Sequence, residues 1–225
     1  MSTIVYATDE DVALRASADF ALLCPRDQKL AYGTDGSFNP ADRWTLLSTT
    51  VNFAAQGVAA GQLLFLTAPV ATFKPPGEAL VVVSISAGAV TLRRKGQPAG
   101  LGQPPSPAAG LTGVEFTALS LAPQVGRAGE DLNRRYGIDD LLAGRRTTDL
   151  ADPKEIRDAV VLTVLHRQYL DMSRESGANP DIFAAKAGPI KAELDDLLAR
   201  VVVRWNPAGG LAEPSTSRFT TRLTR

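Results

Sequence analysis

Cysteine and histidine are nearly absent: Cys24 and His166 are the only ones in 225 residues. One thiol cannot close a disulfide within the chain. One thiol and one imidazole also fall short of the ligands a structural zinc needs. No run of about 18 apolar residues, the length that crosses a bilayer, is present. The opening Met1-Ser2-Thr3-Ile4 lacks the basic-then-apolar order of a secretory leader. The expectation is a soluble chain made in a reducing cytoplasm, with no membrane partner. A charge excess is missing too, with 24 basic against 24 acidic residues. That argues against wrapping DNA by charge alone, although a local basic patch stays open. It also leaves little self-repulsion to oppose assembly.

Catalytic patterns are equally scarce. His166 lies in a strongly helical run beside Arg167, where it reads as a packing or surface residue. Cys24 precedes Pro25 without a surrounding motif and reads as a buried structural thiol. A serine triad would have to recruit the lone His166, and no G-x-S-x-G elbow accompanies it. The spacing Gly96, Gly100, Gly102 lacks the lysine and strand-to-helix setting of a phosphate loop. Asp9-Glu10-Asp11 reads as a helix first turn, Asp139-Asp140 as a loop or helix start, and Asp195-Asp196 as a solvated helix face. No enzyme activity, cofactor or metal is expected.

What the sequence does hold is a change of texture along the chain. Thr8 ahead of three acidic residues suits a helix cap, with Val12, Ala16, Phe20 and Leu23 at helical spacing and Pro25 as a stop. Gly33-Thr34-Asp35-Gly36 reads as a turn. Short apolar runs follow at 44–47, 51–53, 63–67, 79–85 and 89–92, punctuated by glycine and proline, which suggests a small barrel or sandwich. The runs at 81–85 and 90–92 look like a hairpin, and Val114-Glu115-Phe116 could supply a last strand. Between them, residues 96–110 are rich in glycine and proline. Pro104, Pro105 and Pro107 favour extended backbone, either as a solvated connector or as an arm on a neighbouring subunit.

Beyond residue 120 the period becomes helical. Leu121, Val125, Ala128, Leu132 and Tyr136 form a stripe with Gly137 placed to cap it, and Gly126 and Gly129 weaken it. Asp152-Pro153-Lys154-Glu155 is a strong start signal. The helix after it has a broad apolar face of Ile156, Val160, Val161, Val164, Leu165, Tyr169 and Met172. So wide a face suggests more than one partner, which makes Val161, Leu165 and Tyr169 candidates for contact between copies. Asn179-Pro180 opens a second helix with a seam of Phe183, Ala187, Ile190, Leu194, Leu197 and Val201. Gly188-Pro189 should kink or break it, and the two helices should form an antiparallel hairpin. Residues 201–205 are β-prone, and a linker leads to a tail with Arg218, Phe219, Arg222, Leu223 and Arg225.

The order Asp131-Leu132-Asn133-Arg134-Arg135-Tyr136-Gly137-Ile138, then Asp152 to Val160, then His166-Arg167-Gln168-Tyr169-Leu170-Asp171-Met172 resembles the head-to-tail connector (adaptor) family of long-tailed bacteriophages. The segment from Phe53 to Leu63 also resembles a barrel entry common in phage structural proteins, with Gln62 where an acidic residue is usual. The resemblance implies a C-terminal helical bundle joined by the N-terminal helix; residues 37–118 depart from the family pattern and look like an inserted small β-barrel or sandwich, which makes the chain α+β. On that reading residues 1–36 and 119–205 form the helical connector domain, 37–118 the insert and 206–225 an extended tail. It further implies a dodecameric ring of copies beneath the portal protein in the virion neck, assembled in the host cytoplasm. That ring would extend the channel through which DNA passes as cargo and would meet a stopper or tail-completion protein. Arg218, Phe219, Arg222, Leu223 and Arg225 would then be the portal-docking residues, unless the tail is simply a frayed terminus. The competing readings are a stopper or tail-completion protein of the neck, and a β-module that binds a carbohydrate or host factor.

Overall fold

The computed structural model describes residues 6–75, 77–142, 145–175 and 180–206. The chain is mixed α+β and divides into two compact units, Thr8–Pro123 and a second one made of Met1–Ala7 with Gln124–Arg225.

In the first unit six strands close an antiparallel barrel: β1 (Lys29–Phe38), β2 (Thr45–Leu47), β3 (Leu63–Ala68), β4 (Glu78–Ile85), β5 (Ala89–Arg94) and β6 (Val114–Leu119). Their order around the barrel is β1-β2-β5-β4-β3-β6, with β6 returning to β1. Alternate residues point inward, so Leu64, Leu66, Leu80, Val82, Val90, Leu92, Val114, Phe116 and Ala118 fill the interior. Phe53 and Val58, from the loop ahead of β3, and Phe73, from the loop after it, complete the core. The Phe53 and Phe116 rings lie 5.3 Å apart. The expected run at 51–53 is therefore a plug and not a strand. Gln62 also explains itself, because its Oε1 accepts from Ala59 N at 2.8 Å, as a carboxylate could.

Leu63 and Phe65, which point outward from β3, are buried as well. Leu63 lies between Val81 of β4 and Leu119 of β6, and all three are covered. Two short helices, α1 (Asp9–Arg15) and α2 (Phe20–Leu23), supply cover within this unit, with Phe20 stacked on Phe65 at 6.1 Å. The sequence pattern reads these as one helix, but the chain bends between Ala16 and Asp19. It also groups residues 8–36 with the helical domain, whereas they cluster with the barrel, and β1 starts at Lys29.

Gly33-Thr34-Asp35-Gly36 is a bulged stretch of β1 and not a turn. A Cβ on Gly33 would sit 2.4 Å from Phe116 Cζ, so glycine lets the strand pass over that ring. Asp35 then accepts from Ser48 Oγ and from the Thr49 and Thr50 backbone N–H groups at 2.8–3.0 Å. Desolvation pushes its carboxyl up, but these bonds outweigh that and hold it well below the usual range.

The second unit holds α3 (Ala122–Tyr136, its first turn reaching from the barrel unit), α4 (Lys154–Glu175) and α5 (Pro180–Arg200). α3 buries Val125, Ala128 and Leu132. It ends as the sequence suggests: Gly137 has φ +66° and Ile138 N donates back to Asn133 O at 2.9 Å. Gly129 admits the Tyr6 ring, whose hydroxyl donates to Asn133 Oδ1 at 2.5 Å. Asp152 Oδ1 accepts from Lys154 N at 2.9 Å and starts α4. α4 packs against α5, with Tyr169 stacked on Phe183 at 6.4 Å.

The α5 seam is as expected, with Ala187, Leu194 and Leu197 buried. The expected interruption at Gly188-Pro189 is not a break, and α5 runs on through Pro189. Pro189 and Ala185 are both exposed, so water can take the carbonyl that proline leaves unpaired. After α5 the chain returns to the start of α4, with Trp205 bridging Leu150 and Asn206 N donating to Asp149 O at 2.6 Å. The β-prone stretch 201–205 thus forms one bridge and not a strand.

Candidate functional site

The densest constellation of charge in the barrel unit is built from α1, β4, β5 and the turn after β5. Three consecutive acidic residues in α1 act in three directions. Asp11 closes a capping box with Thr8, its Oδ2 accepting from Thr8 N at 2.8 Å. Glu10 reaches β5, where both guanidinium nitrogens of Arg93 grip its carboxylate, and Gly96 N donates to Glu10 Oε1 at 2.8 Å. Burial pushes the Glu10 carboxyl up, but Arg93 and the Gly96 N–H outweigh it and leave it below the ordinary value. Asp9 turns inward. It is 4 % exposed, and its Oδ1 accepts from Leu121 N at 2.8 Å, just past the end of β6.

Further along β5, Arg94 pairs with Glu78 of β4 and reaches Pro104 O. Lys95 donates to Ser17 Oγ between the two short helices. Every one of these cations is engaged with a group of the same unit. The cluster pins α1 and the 96–110 segment to the barrel and does not present an open charged surface. Among the described residues, no group of three or more His, Cys, Asp or Glu side chains could hold a metal. No helix among them is long and apolar enough to cross a membrane.

The residues singled out from sequence fall in three places. Val161, Leu165 and Tyr169 are 4 %, 2 % and 4 % exposed in the single chain. The broad face of α4 is thus already covered, and these side chains are core and not a surface for another copy. Pro104, Pro105 and Pro107 lie in a largely exposed connector that is tied back to the barrel unit around Ser106. Pro105 is buried, Ser106 N donates to Arg43 O at 3.2 Å, and Arg43 Nη1 donates to Pro107 O at 3.1 Å. Arg218, Phe219, Arg222, Leu223 and Arg225 lie outside the described residues.

His166 is half-buried on α4, lowered from its ordinary value by burial and then by Lys191. Cys24 is a buried free thiol, and burial pushes it far up. Sequence reasoning missed Glu10–Arg93 and Asp9–Leu121, whose partners are 83 and 112 residues apart. The only local signal was that three acids exceed what one short first turn requires.

No protein-family model, curated protein or solved structure matches the chain.

Proposed function

We propose that the chain is a non-enzymatic structural subunit of a bacteriophage neck, a head-to-tail adaptor that joins a ring beneath the portal and links capsid to tail. The observation that supports this reading is the helical unit. α3, a loop, the long α4 and an antiparallel α5 follow one another on the residues that carry the family resemblance. Tyr169 and Asp171, in the stretch that carries the resemblance, sit on α4, the first buried against α5 and the second exposed. In this role the C-terminal segment docks on portal, and its alternation of arginine with Phe219 and Leu223 suits a site that is both acidic and apolar. Several copies around one ring would multiply a weak contact.

A second reading, a stopper or tail-completion protein, is favoured by one specific observation. The barrel is closed and fully packed and spans most of the first unit, and such a protein would be built around a barrel.

Negative-stain microscopy of the chain mixed with the portal of its virion tests both. A ring on the narrow end of the portal supports the adaptor. Binding only once an adaptor is already in place supports the stopper. A chain lacking residues 214–225 is expected to fold normally and lose co-sedimentation with portal. Unchanged co-sedimentation would overturn the docking role.

A further inference from the structure

Asp9 is the one acid of its cluster whose position costs the fold something. Its Oδ1 is held by Leu121 N, but its Oδ2 is buried with no hydrogen-bond partner. A carboxylate so placed carries full charge against only the Leu121 N–H and the Ser120 hydroxyl, whereas a neutral carboxyl fits the same space better. The groups that face it do not relieve this. Ser120, whose Oγ accepts from Ala122 N, offers that one hydroxyl. Cys24, at the end of α2, stays a neutral thiol, and Lys29 beyond it is exposed at the start of β1. On the same helix, Glu10 engages Arg93 of β5, and Asp11 is turned to Thr8.

We propose that Asp9 is a proton-operated latch: protonated, it fastens α1 to the end of β6, and ionised, it loosens α1 from the apolar barrel face that α1 and α2 cover. The direction follows from burial, which pushes the Asp9 carboxyl up to about 6 against the smaller opposing pull of Leu121 N and Ser120. The folded chain then keeps a proton that the unfolded chain has already released. The hold on α1 is full only below the ordinary aspartate value, falls as pH rises from there through about 6, and levels off above it. Loosening α1 also frees α2, which follows it in the chain, and with it the cover that Phe20 gives Phe65 of β3. The proposal stands apart from the neck assignment, since it concerns the barrel unit alone.

The test is amide hydrogen exchange of the full chain between pH 5 and 8, corrected for intrinsic rates. Protection at Ala16 N and Leu121 N is expected to fall at least fivefold across this range in the wild type. In Asp9→Asn it should be flat and close to the low-pH level. As a control for the chain's sole histidine, His166→Gln is expected to keep the wild-type profile. Equal profiles for wild type and Asp9→Asn, or a profile abolished by His166→Gln, would overturn the latch. Should Asp9→Asn fail to fold, the carboxyl carbon shift of Asp9 in the wild type decides. A midpoint near 6 upholds the latch, and one near the ordinary aspartate value rejects it.

Discussion

Glycines in this chain divide by what a methyl group would meet. At Gly33 an added Cβ runs into the Phe116 ring, which the barrel core cannot move aside. Gly33→Ala should therefore lower stability by about 1–3 kcal/mol, the usual cost of overpacking. At Gly126, inside α3, nothing lies within 4 Å. Gly126→Ala should raise stability by about 0.5–1 kcal/mol through backbone entropy alone. Urea denaturation of the two variants checks the opposite signs. From sequence both looked like flaws or turns. The Gly33 stretch read as a turn because glycine and aspartate at short spacing mark turns and bulges alike, and only the position of Phe116 separates the two. The acids were read in part. Asp11 does cap its helix, but the tasks of Asp9 and Glu10 depend on residues far along the chain, and no local window contains those.

At the scale of elements, α1 has only seven residues, too short to persist by helix propensity alone. Its position is fixed by the ion pair with β5 and the buried contact at Leu121. Both partners of the Glu10–Arg93 pair are mostly shielded, with side chains 15 % and 20 % exposed. A double-mutant cycle of Glu10→Ala and Arg93→Ala should return a coupling of about 1–3 kcal/mol, more than exposed pairs give. That coupling should persist at neutral pH and fade only as pH falls below the ordinary glutamate range, because Glu10 is held below its usual value. α5 illustrates the opposite case. Its seam was legible because burial alone sets it, while the effect of Pro189 depended on which side faced water. Pro189→Ala should stabilise the helical unit by about 1–3 kcal/mol, read from its thermal or denaturant midpoint. Strands β3, β4, β5 and β6 were visible as apolar runs, and the order in which they close was not, since pairing is set by register between distant segments.

Among the described residues, the wide apolar face of α4 is buried within the single chain. The sequence suggested that the wide face of α4 was shared with other copies, because periodicity counts apolar positions without saying what covers them. Its burial in one chain changes the meaning of a substitution there. Leu165→Ala should cost the isolated chain about 2–5 kcal/mol, as for any large core residue. An unchanged denaturation midpoint, paired with lost association, would return Leu165 to an interface. Whatever binds partners must then be sought on exposed groups such as Ile182 of α5, Leu141 and Leu142, or in the C-terminal segment.

The bond from Leu121 N to Asp9 Oδ1 also has a bearing on ancestry and engineering. It brings together Asp9 and Leu121, each within two residues of an end of the barrel unit. A piece of chain that leaves where it entered can be spliced into a surface loop of an unrelated host at little entropic cost, because the host already holds its loop ends together. Residues 8–123 therefore have the end geometry that insertion into such a host loop requires.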